Sequence, residues 1–179
     1  MPILNWKNFE RSIKNLGREQ LISLIRELYG LNQINKEYLC LKQNIGYTSP
    51  AAKKLIDVCQ QKIRKCFFNS NGPNLSHAKT LVTNFCKSTL HTDAKLHVML
   101  HFCETGSEFD ATYGADYEKL YTSIENMFGN FIKLIQTADL NTQKKYKPRI
   151  LKFLTSTDHC GYGHRDILDD VMSRWKQQN

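Results

Sequence analysis

The amino-acid sequence predicts an all-α fold, a single irregular bundle or array of about seven to nine helices. Apolar residues recur at intervals of three and four along most of the chain, which is the period of an amphipathic helix. Capping residues and glycines mark the ends of these segments. No convincing stretch alternates apolar and polar residues as a strand does, and no Asn-Gly turn joins two β-rich runs. We expect residues 1–179 to form one helical domain.

Two helices are predicted near the N-terminus. Asn5 is a favourable N-cap. The first helix begins after Asn5, and its apolar side consists of Trp6, Phe9, Ile13 and Leu16. Gly17 is expected to end this helix in a left-handed conformation. The second helix carries its apolar residues between Leu21 and Tyr29 and is expected to end at Gly30.

The clearest helix start in the chain lies at Ser49 and Pro50. A looser helical segment is predicted before it, from Ile34 to about Lys42, followed by a loop over residues 44–48. Since a capping residue followed by proline is typical of a first helical turn, these two residues predict a third helix that runs to about Cys66.

Turn-forming residues fill positions 69–74 and predict a loop. Ser76 is then expected to cap the next helix. Another helix is predicted to begin near Thr92 or Asp93, to continue past Gly106 and to stop at Gly114.

The segment from Asp116 to Thr137 has the most regular apolar pattern and predicts a central helix. Two further helices are predicted over residues 142–154, with Pro148 in the first turn or at a kink, and over residues 165–175. The stripe of the central helix comprises Leu120, Ile124, Met127, Phe128, Phe131, Leu134 and Ile135. We expect Ile124, Phe128, Phe131 and Ile135 to be buried at the centre of the protein.

Composition is that of a globular protein, with 41% hydrophobic and 23% charged residues. No window approaches the roughly 18 consecutive apolar residues that a membrane span needs, which argues against membrane insertion. The N-terminal segment carries Lys7, Glu10 and Arg11 where a signal peptide would be apolar. The six cysteines form no C-x-x-C pair. They predict reduced thiols in a cytoplasmic protein.

Several short motifs resemble an uncharacterised bacterial family of small helical proteins, one of the domain-of-unknown-function families. They are Lys62-Ile-Arg-Lys-Cys-Phe-Phe68, Pro73-Asn-Leu-Ser-His-Ala-Lys79, Glu108-Phe through Tyr113-Gly114, and Gly161-Tyr-Gly163 with Asp166. The helix from Leu21 to Tyr29 also fits. The resemblance implies a helical fold and no particular activity.

A metal site is one hypothesis for the six histidines. His97 and His101 are four residues apart on one predicted helix, and Glu104 lies three further along the same face. The segment from Asp158 to His164 could supply another ligand. Val98 stands where a zinc protease has its catalytic glutamate, so the motif is not that of such an enzyme. The alternative is that these histidines lie at the surface or at its boundary.

Catalytic motifs are absent from the sequence. There is no G-x-S-x-G, and no cysteine has a recognisable catalytic frame. Gly161 and Gly163 precede a predicted helix as in a phosphate loop, but a preceding strand, a third glycine and a P-loop lysine are missing. Asp166 is better explained as an acid in the first turn of that helix. No cofactor is predicted, and a metal-dependent enzyme ranks third among the function classes.

Charge gives the main functional signal. The formal net charge is +8, and two runs around residues 53–65 and 144–152 carry much of the basic charge. If the runs face the same way, they form a surface that attracts phosphates. We therefore predict a non-enzymatic protein that binds DNA or RNA with little sequence preference. The predicted binding residues are Lys53, Lys54, Lys62, Arg64, Lys65, Lys145, Lys147 and Arg149.

Two alternatives stay open beside this prediction. The lysines could simply solvate helix faces, as most surface lysines do. The chain could also be a helical adaptor that binds another protein through an exposed groove. Whether the two basic runs converge in space distinguishes nucleic-acid binding from the adaptor.

Overall fold

The computed structural model describes residues 5–32, 35–36, 38–39, 50–114, 118–161 and 163–176. These residues contain no strand, which confirms the predicted all-α fold. Most of the helix predicted from Ile34 to Lys42 lies outside them. Within the described residues, the helices of nine residues or more are α1 (Trp6–Lys14), α2 (Arg18–Leu31), α3 (Pro50–Phe67), α4 (Leu75–Ser88), α5 (Thr92–Tyr113), α6 (Glu118–Gln136), α7 (Leu140–Thr155) and α8 (His164–Lys176).

Local hydrogen bonds determine where the two N-terminal helices, α1 and α2, begin. The Asn5 side chain accepts a hydrogen bond from the Asn8 amide at 3.0 Å, so the predicted cap is confirmed. The prediction for Gly17 is wrong, because its φ is −68° and it stands before α2 as the N-cap. The backbone amide of Gly17 donates a hydrogen bond to the Gln20 side chain at 2.8 Å. Gly30 does not end α2, which continues to Leu31.

The later boundaries are confirmed within a few residues. Pro50 is the first described residue of α3, and the cap predicted at Ser49 lies outside the described residues. α4 begins at Leu75 rather than after Ser76, because the Asn74 side chain accepts from the His77 amide at 3.0 Å. Gly114 ends α5 with a φ of 59°, a left-handed conformation that suits glycine.

α7 is longer at its start than the sequence predicts. Asp139 caps it by accepting from the Thr142 amide at 3.0 Å, so the helix begins at Leu140. Pro148 consequently lies two turns inside the helix rather than in its first turn. A proline there donates no hydrogen bond to the carbonyl of Lys144, and its exposed position makes this loss tolerable.

The core surrounds α6, as the sequence predicts. Ile124, Phe128, Phe131 and Ile135 are all at most 1% exposed. The Phe128 ring packs against Phe131 and, with ring centroids 5.1 Å apart, against Phe153 of α7. Buried residues from α3 to α8 join this core. α1 and α2 contribute no buried side chain.

α5 crosses α6 closely at Gly106. A Cβ atom on Gly106 would lie 2.8 Å from Cδ1 of Ile124, so the two helices touch where a side chain is missing. Most other described residues of α5 are buried, but one polar face lies between α3 and α7. No helix in the described part of the chain is both long and apolar enough to cross a bilayer.

Candidate functional site

One polar stripe runs along α5. Its residues are separated by four, four, three and four positions, which places them on a single helix face. They are half-buried except for the last, which is exposed, whereas most of the helix around them is buried. We call Asp93, His97, His101, Glu104 and Glu108 the polar stripe.

α7 contacts the polar stripe through two cations. Lys145 Nζ lies 2.9 Å from both carboxylate oxygens of Asp93. Arg149 donates from Nε and Nη2 to the two oxygens of Glu104, each at 2.6 Å. Such a two-bond arginine–carboxylate pair fixes orientation as well as charge. The basic run on α7 is therefore attached along α5.

α3 contacts the same stripe from the other basic run. Arg64 donates two hydrogen bonds to Glu108, one of them at 2.7 Å, and its guanidinium lies 4.4 Å from the centre of the Phe68 ring. The carbonyl oxygen of Gln60 lies 3.3 Å from His101 Nε2. A carbonyl only accepts, so Nε2 carries the proton. Arg64 of one basic run and Lys145 and Arg149 of the other therefore contact the same face of α5.

The predicted binding residues divide into three groups. Arg64, Lys145 and Arg149 pair with acids of the polar stripe. Lys62 lines a cavity of about 390 Å³ between α3 and α4, together with Leu55 and Phe85, and so lies on another side of α3. The remaining four are exposed on α3 and α7, and we call Lys53, Lys54, Lys65 and Lys147 the basic face.

Helix geometry places Lys53 near the start of the polar stripe. Gln60 contacts His101, and Arg64, which is later in α3, contacts Glu108, which is later in α5. Residue numbers therefore rise in the same direction along both helices, so α3 and α5 run parallel. Seven residues before Gln60 lie two turns back on the same face of α3. Lys53 is therefore level with Asp93 and its partner Lys145.

His97 and His101 face a cation instead of a third ligand. Arg149 lies 3.0 Å from His97 Nδ1 and, since a guanidinium can only donate, this nitrogen accepts. The described residues of the Asp158–His164 segment form no group of possible metal ligands with these rings. This segment packs against Asp110, nine residues after His101, which corresponds to about 13 Å along a helix. Among the described residues, the structure thus brings no ligand from this segment to His97 and His101.

Burial lowers the pKa of His97, and the positive charge of Arg149 lowers it further. We expect Arg149→Met to raise the His97 pKa, because it removes both the charge and the donor to Nδ1. Histidine NMR signals followed against pH will measure this pKa.

Without any substitution, His97 takes up a proton more readily in the unfolded chain than in the folded protein, because its pKa is lowered only in the folded state. Stability should therefore fall as pH drops through and below 6.5.

Lys144→Met is the matched control for this titration, because it removes one exposed positive charge from the same helix without touching His97. It should leave the His97 titration in place. An unchanged His97 titration in Arg149→Met would contradict the contact seen in the structure.

A second polar cluster lies at the far end of α5. Asp110 is 3% exposed, and its Oδ2 accepts a hydrogen bond from Cys160 Sγ at 3.1 Å. His159 Nε2 lies 3.3 Å from the same oxygen. We call Asp110, His159 and Cys160 the thiol cluster. It brings a carboxylate, an imidazole and a thiol within 4.8 Å of one another.

Side chains of α6 and α8 support the thiol cluster. Tyr121 donates from its hydroxyl to Asp110 Oδ1 at 3.1 Å, and burial with Asp110 nearby raises the pKa of Tyr121 to about 12. The Tyr121 ring stacks on His164 with centroids 4.7 Å apart. His164 is fully buried, and its Nδ1 lies 2.7 Å from Glu125. Asp110 is thus held in one orientation.

The thiol cluster is not arranged as a Cys–His–Asp catalytic relay. In such a relay one ring nitrogen of the histidine meets the thiol and the other meets the carboxylate. Here Nε2 of His159 faces both groups, at 3.9 Å from Cys160 Sγ. Burial and the hydrogen bond to Asp110 also raise the pKa of Cys160 to about 12. The thiol is therefore protonated and a poor nucleophile near neutral pH.

Sequence reasoning singled out the loop of this cluster but missed Asp110 and Tyr121. Met99, Cys103, Gly106 and Asp110 follow one another at helical spacing and are all buried. An acid that continues an apolar face is the signal that could have identified Asp110, since an unpaired buried carboxylate is costly.

No protein-family model, curated protein or solved structure matches this chain. The resemblance to a family of small bacterial helical proteins accordingly stays a prediction.

Proposed function

We propose that this protein binds nucleic acid through the basic face, with little preference for sequence. The observation that supports this most directly is that both basic helices pair with one stripe of α5. Arg64 approaches it from α3, and Lys145 and Arg149 approach it from α7. Lys53 lies level with the start of this stripe, and the other lysines of the basic face are exposed on the two helices that flank it, which gives a positively charged surface. Phosphate groups are attracted to such a surface irrespective of the bases they carry.

The balance of charge on this surface favours a polyanion. α3 carries five basic side chains and one acid, and α7 carries five basic side chains and no acid. The acids of the polar stripe neutralise three of these cations. The lysines of the basic face carry positive charge beyond those pairs, and a lysine ammonium suits phosphate as a point charge.

Little sequence readout is expected. Among the described residues of α3 and α7, no aromatic side chain is exposed, so stacking on bases does not contribute. The arginines, which read guanine edges best, are engaged by Glu104 and Glu108. Phosphate contacts therefore provide the affinity in this proposal. A cytoplasmic location is part of it, supported by the cysteines Cys66, Cys86, Cys103 and Cys160, which form no disulfide among the described residues.

Salt dependence of affinity tests the proposal. Fluorescence anisotropy with a labelled duplex should give a slope of about −3.6 for log affinity against log salt if the four lysines each contact a phosphate. The double variant Lys53→Glu, Lys147→Glu should reduce the slope to about −1.8. Single-stranded RNA should show the same order of affinities.

The charge-matched control is Lys119→Glu with Lys133→Glu, two exposed lysines on α6. It changes the net charge by the same amount away from the polar stripe. Equal losses in both double variants would show that net charge alone drives binding and would contradict a defined face. Absence of any salt-dependent binding at low ionic strength would overturn the proposal.

That last outcome would favour the protein-binding adaptor. α2 presents apolar side chains at helical spacing that are 38–48% exposed, namely Ile22, Ile25 and Tyr29. An apolar helix face of this kind suits a hydrophobic groove on another protein.

A further inference from the structure

We propose that the thiol cluster binds one zinc ion through Cys160 Sγ, His159 Nε2 and Asp110 Oδ2. This goes beyond nucleic-acid binding and does not depend on it. Thiolate, imidazole and carboxylate are the three side-chain ligand types of zinc in proteins. The cluster holds one of each.

The spacing of the three atoms matches a tetrahedral site. Zinc bonds of about 2.0–2.3 Å at tetrahedral angles require about 3.3 Å between nitrogen and oxygen and about 3.6 Å from either to sulfur. The observed distances are 3.3 Å between His159 Nε2 and Asp110 Oδ2, 3.1 Å from Oδ2 to Cys160 Sγ, and 3.9 Å from Sγ to Nε2. Each observed distance therefore differs from the tetrahedral value by about half an ångström or less.

The scaffold around the ligands is already ordered. Ser107 of α5 donates to the carbonyl of Ser156 at 3.1 Å, which fixes the start of the loop over Asp110. Arg165 of α8 pairs with Asp158 beside the two loop ligands. Tyr121 holds Oδ1 of Asp110, so Oδ2 points to the loop. Partners that orient ligands in this way are typical of protein zinc sites.

The cluster also has access and chemistry for metal entry. The His159 side chain is 47% exposed, whereas that of Asp110 is buried, so an ion can enter from the loop side. The Cys160 thiol donates its proton in a hydrogen bond to Asp110. When the metal binds, it takes the place of this proton, which is released to solvent. Three protein ligands leave the fourth zinc position for a water molecule or a substrate group.

Metal titration of the full chain tests this site. Isothermal titration with Zn²⁺ should give one ion per chain and proton release on binding. Co²⁺ should give the charge-transfer absorption of a thiolate ligand. His159→Ala and Cys160→Ser should each weaken zinc binding by more than the roughly 10- to 100-fold that loss of an outer-shell partner costs. Tyr121→Phe, which removes such a partner, should fall within that range.

Two matched variants control for general effects. His77→Ala removes an exposed histidine on α4, and Cys86→Ser removes a half-buried cysteine on the same helix. Both should bind zinc like the native protein. His159 is exposed, so its variant keeps the fold and far-ultraviolet circular dichroism verifies this. A lack of stoichiometric zinc binding, a cobalt complex without thiolate absorption, or unchanged affinity in His159→Ala would overturn the proposal, whether or not the protein binds nucleic acid.

Discussion

Replacement of Phe128 by alanine should lower the free energy of unfolding by about 3–5 kcal/mol. Phe128 is fully buried on α6 and packs between Phe131 and Phe153. Truncation removes the apolar contacts of the ring and leaves a cavity that the surrounding helices fill only in part. Urea denaturation should show a lower midpoint with an unchanged slope, because the native protein buries nearly the same surface.

Leu151→Ala on α7 is the control for this large effect. Leu151 is 49% exposed, and substitutions of exposed residues usually change stability by about 0.5 kcal/mol or less. If Phe128→Ala proved as mild as Leu151→Ala, α6 would not lie at the centre of the core.

The apolar period identified α6 and its core residues because that helix is packed from several sides. Buried positions on one helix face appear in the sequence as apolar residues at helical spacing. Ile124, Phe128, Phe131 and Ile135 are such positions. Helix ends depend on which of several nearby polar residues makes the cap. Asn74, two residues before the predicted Ser76, takes the His77 amide. Both residue types are good caps, so the sequence alone did not distinguish them.

The basic runs were visible in the sequence, but their pairing with acids was not. Arg64 and Glu108 are 44 residues apart, and Arg149 and Glu104 are 45 apart. Such partners meet only after α3 and α7 pack against α5. The fold therefore removes three cations from the predicted surface and leaves the lysines of the basic face. It also explains why His97 meets Arg149 instead of a metal ligand.

The thiol cluster also contains a residue that is distant in sequence and joins the others only in the fold. His159 and Cys160 are adjacent in sequence, and their loop was singled out as polar. Asp110 completes the cluster from 50 residues away. It does so because α5 extends past its crossing with α6, a crossing that is close at Gly106. Asp110 lies one turn beyond Gly106, and Tyr121 lies one turn before Ile124, so this crossing aligns the two side chains.

The crossing leaves no room for a side chain on Gly106. An added Cβ would lie 2.8 and 2.9 Å from two carbons of Ile124 and 3.3 Å from the Phe67 ring. Ile124 is 1% exposed and Phe67 fully buried, so neither can turn into solvent. A larger residue must push α5 away from α6, since dense cores relax poorly.

Gly106→Leu should consequently lower the free energy of unfolding by about 3 kcal/mol, the upper part of the usual cost of overpacking. Thermal unfolding followed by circular dichroism will measure it. Gly129→Ala is the control, since Gly129 lies inside α6 and a Cβ there meets nothing within 4 Å. That variant should gain about 0.5–1 kcal/mol, because alanine restricts the unfolded chain more than glycine does and favours the helix. Destabilisation by Gly129→Ala, or tolerance of Gly106→Leu, would contradict the close crossing that brings Asp110 to Tyr121.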